Sequence, residues 1–124
     1  TEIYTLSLHD ALPIYGDTLD GLKEGGWLIV NTPRDPEAVG CGDRFSVATA
    51  DAEAAAREAR LIVAGTVMVN TAMLGAVAKA TGLIELDNVQ QTLEHKYPPK
   101  AAEKNVAAAR LTFERTRLLP CRRQ

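Results

Sequence analysis

An α/β fold is what this sequence predicts: a three-layer, Rossmann-like domain on a parallel sheet, with a helical C-terminal half. Three observations carry the prediction. Trp27-Leu28-Ile29-Val30 is a continuous apolar run ending in two β-branched residues, the pattern of a strand covered on both faces. A short helix start at Asp35-Pro36-Glu37 and a second strand-like run, Phe45 to Ala50, follow it, and a strand, helix, strand, helix order suits parallel pairing. Beyond Asp51 the apolar residues fall at helical rather than alternating spacing.

Asp17 or Thr18 can cap a short helix through Glu24, with Leu19 and Leu22 on one side and Gly25-Gly26 to end it. The strand from Trp27 stops at Asn31-Thr32-Pro33. Asp35 supplies an N-cap carboxylate, Pro36 the first helical position and Glu37 a first-turn acid, and Gly40 and Gly42 keep that helix short. Asp51 caps an alanine-rich helix running to about Arg60. A nearly charge-free helix from Thr66 or Asn70 to Thr81 has Val67, Asn70, Leu74, Val77 and Thr81 on one face. Its other side carries Ala72, Gly75, Ala76 and Ala80, small enough for another backbone to come close, and Gly82 closes it. Asp87 and Gln90 form a capping-box-like pair, and Leu86, Val89, Leu93 and Tyr97 mark one apolar stripe on a helix that Pro98-Pro99 ends. A last helix has Ala102, Val106, Ala109 and Phe113 on one face.

With 124 residues, 46% hydrophobic and 24% charged, the composition is that of one soluble globular domain, small enough to bury about two-thirds of its unfolded surface. A net charge of -2 gives no field for nucleic acid, and the locally basic tail of Arg115, Arg117, Arg122 and Arg123 reads as solvated. Cys41 and Cys121 stand eighty positions apart with no second Cys or His at ligand spacing. Neither a zinc site nor a [4Fe-4S] cluster can be built from this chain alone, and a reducing cytosol is the expected setting. The uncharged stretch from Leu61 to Ala78 reaches the lower limit for a membrane span. Gly65, Thr66, Asn70, Thr71 and Gly75 interrupt it, so a short strand or loop followed by a buried helix is the better reading, with no membrane role.

Residues 1–14, from Thr1 to Ile14, lack an initiator Met and look like translated sequencing-adapter DNA. They are set apart from the fold, and His9 and Asp10 are given no role as an acid-base pair. The domain proper is taken as 15–117 and the tail as 118–124.

Leu28 to Glu37, Asn70 to Gly82 with its sequel Leu83-Ile84, and Glu103-Lys104-Asn105-Val106, in that order and spacing, carry a resemblance. The chain resembles the gamma subunit or gamma domain of the 2-oxoacid:ferredoxin oxidoreductases, the group that includes pyruvate synthase. Asn70 to Gly82 looks most like the pyruvate-type members. The resemblance implies a part that is inactive alone within an enzyme that decarboxylates a 2-oxo acid on thiamine diphosphate, passes electrons through [4Fe-4S] clusters to ferredoxin and acylates coenzyme A. Thiamine diphosphate then belongs to the alpha and beta partners and the clusters to delta. The family's opening strand and Gly-x-Gly-Gly-x-Gly turn have no counterpart here. A fragment incomplete at its N-terminus is therefore expected, with Trp27 and Ile29 left uncovered.

Asn31, Thr32 and Arg34 lie just past a predicted parallel strand, where open α/β sheets place ligands. They are the candidate cofactor-binding residues, Arg34 for a phosphate of coenzyme A or a partner carboxylate. The competing reading of Arg34 is a surface ion pair with Asp35 or Glu37. Asn70, Thr71, Met73, Leu74 and Gly75 are the candidate subunit interface, because an Asn in an apolar helix needs a hydrogen-bond partner. Met68 and Met73 read as core or interface filler, His95 as an exposed helix residue and Cys41 as an inert thiol; no residue is assigned catalysis. Two other classes compete. A nucleotide-binding dehydrogenase domain would need a glycine fingerprint the chain lacks, and a structural interaction domain would keep the apolar helix but bind no small molecule.

Overall fold

The structure, a computed structural model, describes residues 3–6, 22–40 and 43–121. The chain divides into two compact units. One holds the sheet and takes residues from both ends of the sequence; the other, Asp51–Thr116, holds the helices. This is the mixed α/β class expected, with a mostly parallel sheet and a helical C-terminal half.

In the sheet unit, β1 (Ile3–Leu6), β2 (Trp27–Asn31), β3 (Ser46–Ala50) and β6 (Arg117–Leu119) lie in the order β1-β2-β3-β6. The first two pairings are parallel, with Leu28 opposite Val47 and Val30 opposite Thr49. The connection from β2 to β3 is long enough for the crossover that parallel strands need, and it contains one 3-10 turn, Pro36–Val39. That turn starts and stops where the sequence predicts: Pro36 is at its first position, and Gly40 takes the left-handed conformation at φ 84°. Asp35 flanks it without making a side-chain cap, because its carboxylate is bound by Arg117 instead.

Leu28, Val30, Val39, Phe45 and Val47 form the core of this unit, with Tyr4, Leu22 and Leu119 packed against it. Phe45 is its largest fully buried side chain; the Tyr4 ring meets it edge-on at 6.5 Å and the Arg44 guanidinium sits 5.4 Å from its centre. Ile29 is completely buried and Trp27 half-buried, so the exposure expected of them is not found. Most of the helix predicted over Asp17 to Glu24 lies outside the described residues; its end is a turn at Glu24 and Gly25, where Gly25 has φ 89°. β6 is an element the sequence reading missed. Arg117–Leu119 pairs antiparallel with β3, placing Leu119 beside Val47, while Arg117 and Leu118 stay exposed.

Thr49 is buried beside this core, and its hydroxyl has no partner. Thr49→Val exchanges an unpaired hydroxyl for a methyl of the same shape, so it is expected to leave stability unchanged or raise it by about 1 kcal/mol in a urea titration. A loss of similar size would mean the hydroxyl is bonded.

The helical unit contains α1 (Ala52–Glu58), the hairpin β4 (Ile62–Val63) and β5 (Thr66–Val67), α2 (Asn70–Thr81), α3 (Leu86–Lys96) and α4 (Pro99–Arg115). Asp51 caps α1 as predicted, its Oδ1 accepting from the Ala54 N–H at 3.0 Å. The helix ends in a Schellman pair, Leu61 N–H to Ala56 O at 2.8 Å and Arg60 N–H to Arg57 O at 3.0 Å. Arg60 carries the left-handed φ of 59° that this motif usually gives to glycine. Arg60→Gly is expected to stabilise the unit by about 0.5–1 kcal/mol, read as a raised melting midpoint, since relieved strain outweighs the added freedom of the unfolded chain.

The uncharged stretch divides as predicted into short strands and a helix, and no helix among the described residues is long and apolar enough to cross a membrane. α3 begins two residues earlier than the capping-box reading required. Glu85 stands extended before it without a side-chain cap, and Asp87 lies inside the first turn, where its charge suits the helix dipole. Among the described residues, two small cores result. Ala52, Ala56, Leu61, Ala72 and Ala108 form one, with Val67, Val69 and Met73 against it. Val89, Leu93 and Ala109 form the other, with Leu74, Ile84, Tyr97 and Val106.

Candidate functional site

β2 ends at Asn31, and the chain turns immediately past it. The Thr32 N–H donates to Ala50 O at 3.0 Å, extending the ladder by one bond, and the Arg34 N–H donates to Thr32 Oγ1 at 3.3 Å. Thr32 thus spends its hydroxyl on making the turn. Asn31 and Thr32 are both buried and neither is without a partner. Arg34 alone of the three presents its side chain to solvent. Of its expected partners, Asp35 pairs with Arg117, and among the described residues Arg34 has no ion pair. The three candidates are adjacent in space, but only the guanidinium is placed to meet something outside the chain.

The second set of candidates divides differently. Asn70 is exposed, so solvent meets the hydrogen-bonding need that marked it out. Thr71 Oγ1 donates to Asn105 Oδ1 at 2.5 Å, and Asn105 Nδ2 donates to Ala101 O at 2.8 Å. Asn105 is buried, and it is the residue the sequence reading did not single out; the signal available was an amide within the apolar stripe side of α4. Met73 and Leu74 are half-buried, each packed on one of the two cores. Gly75 meets α4 backbone: a methyl there would stand 2.9 Å from the Ala109 carbonyl carbon and from the Phe113 nitrogen, and closer still to the Ala109 oxygen. The close approach foreseen for the small-residue face is made within this chain.

Among the described residues of the helical unit, ion pairs join Arg57 to Glu53 within α1 and Arg115 to Glu58 between two helices. Arg115, at the end of α4, grips both carboxylate oxygens of Glu58 at the end of α1, one of them at 2.9 Å. The hydrogen bond from Arg115 chiefly holds the Glu58 carboxyl below its usual 4.5, partial burial opposing and the Arg115 charge adding. A lowered carboxylate contributes stability that is full above 4.5 and is lost as pH falls through the folded-state value. Glu58→Gln is therefore expected to be slightly less stable than the unsubstituted chain at neutral pH and equal to it in strong acid. Salt should shrink the difference, because the pair is exposed.

A groove of about 500 Å³ between α3 and α4 is lined by Gln90, Glu94, Ala102, Glu103, Val106 and Arg110, with Arg110 tied to the Gln90 side chain. No three His, Cys, Asp or Glu side chains come together among the described residues, and Cys41 lies outside them. Cys121 is half-buried, its N–H donating to Ser46 Oγ at 2.9 Å. His95 is exposed, as expected.

A mostly parallel sheet, an outward guanidinium beyond a strand end, and helices locked by an amide and a glycine define an α/β domain. The chain belongs to the pyruvate ferredoxin/flavodoxin oxidoreductase family, which it matches over residues 2–115. It is 37% identical over 125 residues to the pyruvate/ketoisovalerate oxidoreductases common subunit gamma of Thermococcus litoralis, covering 94% of this chain and 64% of that one. It is 35% identical over 111 residues to pyruvate synthase subunit PorC of Methanothermobacter thermautotrophicus, covering 90% and 57%. The crystal structure of pyruvate oxidoreductase subunit PORC from Thermotoga maritima superposes with a TM-score of 0.69 at 27% identity, over 92% of this chain and 64% of that one. The chain thus spans less than two thirds of the length of these relatives.

Proposed function

We propose that this chain is the gamma part of a 2-oxoacid:ferredoxin oxidoreductase, with pyruvate the favoured substrate. It acts with alpha, beta and delta partners in the oxidative decarboxylation of pyruvate to acetyl-CoA, with ferredoxin as electron acceptor, in the cytoplasm. The observation that carries this reading is the family match over nearly the whole chain, together with relatives that are themselves subunits of pyruvate oxidoreductases. When bound in the assembled enzyme, thiamine diphosphate takes up the electron pair released as CO2 leaves. Thiamine diphosphate and the [4Fe-4S] clusters are assigned to the partners. Coenzyme A fits Arg34 in charge and exposure, with Thr32 fixing the turn that carries it and Asn31 anchoring the strand end. Asn70, Thr71, Met73, Leu74 and Gly75 keep an interface role through the helix they form; Asn70 is their outward member.

The test is co-expression with the companion subunits and an assay of pyruvate-dependent ferredoxin reduction, with 2-oxoisovalerate, 2-oxoglutarate and indolepyruvate in parallel. Preference for one of the others would change the substrate and keep the class. A second reading, a structural interaction domain that binds no small molecule, is favoured by the engagement of Asn31 and Thr32 within the chain. Isothermal titration of the assembled enzyme with coenzyme A separates the two: a constant weakened by Arg34→Ala supports a phosphate contact, and an unchanged constant supports the structural role.

A further inference from the structure

Two arginines of the sheet unit stand next to one carboxylate. Asp35 follows Arg34 directly, and a surface ion pair between them is the pairing that sequence proximity favours. It is not made. Arg117 donates to Asp35 Oδ1, and among the described residues Arg34 has no ion pair. Glu37, the other acid near Arg34 in sequence, is exposed and does not pair with it. The sheet explains which arginine wins. Arg117 stands opposite Thr49 on β3, which stands opposite Val30 on β2, so β6 brings a guanidinium to the turn that leaves β2, 82 positions earlier in the chain. Asp35 is available to it because its side chain makes no cap to the 3-10 turn that follows.

We infer that Arg117 is a specificity-determining residue of the Arg34 site: it masks the Asp35 carboxylate and so keeps the turn open to a phosphate-bearing ligand. In the function proposed above that ligand is coenzyme A; the inference rests on that reading and adds to it a residue supplied by the last strand of the sheet. An unmasked Asp35 would oppose a phosphate in two ways, by drawing the Arg34 guanidinium to itself and by repelling the anion. Arg34, Asp35 and Arg117 together carry one net positive charge; without Arg117 they carry none. Arg117 acts through Asp35 and does not itself touch the ligand. The members of the pair are 59% and 62% exposed, so the effect is that of one charge in water, a factor of about five at contact distance.

The test is isothermal titration with coenzyme A, at low salt, of the enzyme assembled with its companion subunits. Arg117→Ala is expected to weaken binding about fivefold, and by less at high salt. Asp35→Asn breaks the same ion pair but removes the charge to be masked, and it is expected to bind as tightly as the unsubstituted enzyme or more tightly. Arg117→Ala combined with Asp35→Asn is expected to recover the unsubstituted constant to within about twofold; such a rescue also excludes misfolding as the cause of the first loss, because the double variant lacks the ion pair as well. If the double variant stays as weak as Arg117→Ala, Arg117 meets the ligand directly and masking is overturned. If Asp35→Asn loses as much as Arg117→Ala, the pair merely braces the turn and masking is again overturned. The same holds if Arg117→Ala binds normally while Arg34→Ala is weakened. If Arg34→Ala leaves the constant unchanged, the coenzyme A reading fails first and the inference falls with it.

Discussion

Gly75→Ala is expected to destabilise the helical unit by about 3 kcal/mol or more, at the upper end of what one added methyl costs in a packed interior. The reason is the nature of the obstacle. An overpacked side chain can usually rotate aside, but here the methyl would overlap the backbone of α4 at Ala109 and Phe113, and a helix backbone moves only as a whole. Alanine's higher helix propensity, worth about 1 kcal/mol in the opposite direction, is too small to compensate. Separation of α2 from α4 would also stretch the Thr71–Asn105 hydrogen bond, leaving a buried amide short of a partner. Chemical denaturation of the variant beside the unsubstituted chain checks this, and a change under 1 kcal/mol would mean the two helices can part without loss.

Phe45→Ala is expected to cost about 3–5 kcal/mol in the sheet unit. Phe45 is wholly enclosed, and its removal leaves Leu28, Val30, Val39 and Val47 facing an empty space that strands held in a ladder cannot close. The Tyr4 edge contact and the Arg44 stacking would be lost with it. Phe45→Leu fills most of the hole and should recover more than half of the loss; equal losses for the two variants would point to the ring contacts rather than the cavity.

The strands and most helices were legible because their signals are local. An apolar run at Trp27, a Pro at the first position of a turn, and an Asp before an alanine-rich stretch each act through the backbone within a few residues. β6 was not legible, because Arg117-Leu118-Leu119 is short and follows a charged helix end; only its alignment with β3, nearly seventy residues earlier in the chain, makes it a strand. The hairpin was half legible. Its turn uses Ala64 and Gly65, both left-handed, where Asn-Gly would have announced it. At the candidate sites, position could be read and engagement could not. The spacing put Thr32 at a strand end and Thr71 at a helix start, but whether their polar groups were satisfied depended on distant residues, Ala50 and Asn105. Gly75 was marked correctly as a point of close approach; that the approaching backbone belonged to α4 of this same chain is information that no periodicity contains.

The pairing of β6 with β3 has a temporal consequence. The sheet unit is discontinuous in sequence, interrupted after Ala50 and resumed at Arg117. During synthesis, β2 and β3 emerge first and wait, one flank of β3 open, while the whole of Asp51–Thr116 is made. The helical unit lies wholly within Asp51–Thr116, so it is placed to fold in that interval, before the β3–β6 pairing can close. A chain halted before residue 117 would carry a finished insert within an unfinished host, its sheet edge open to strand exchange with neighbouring chains.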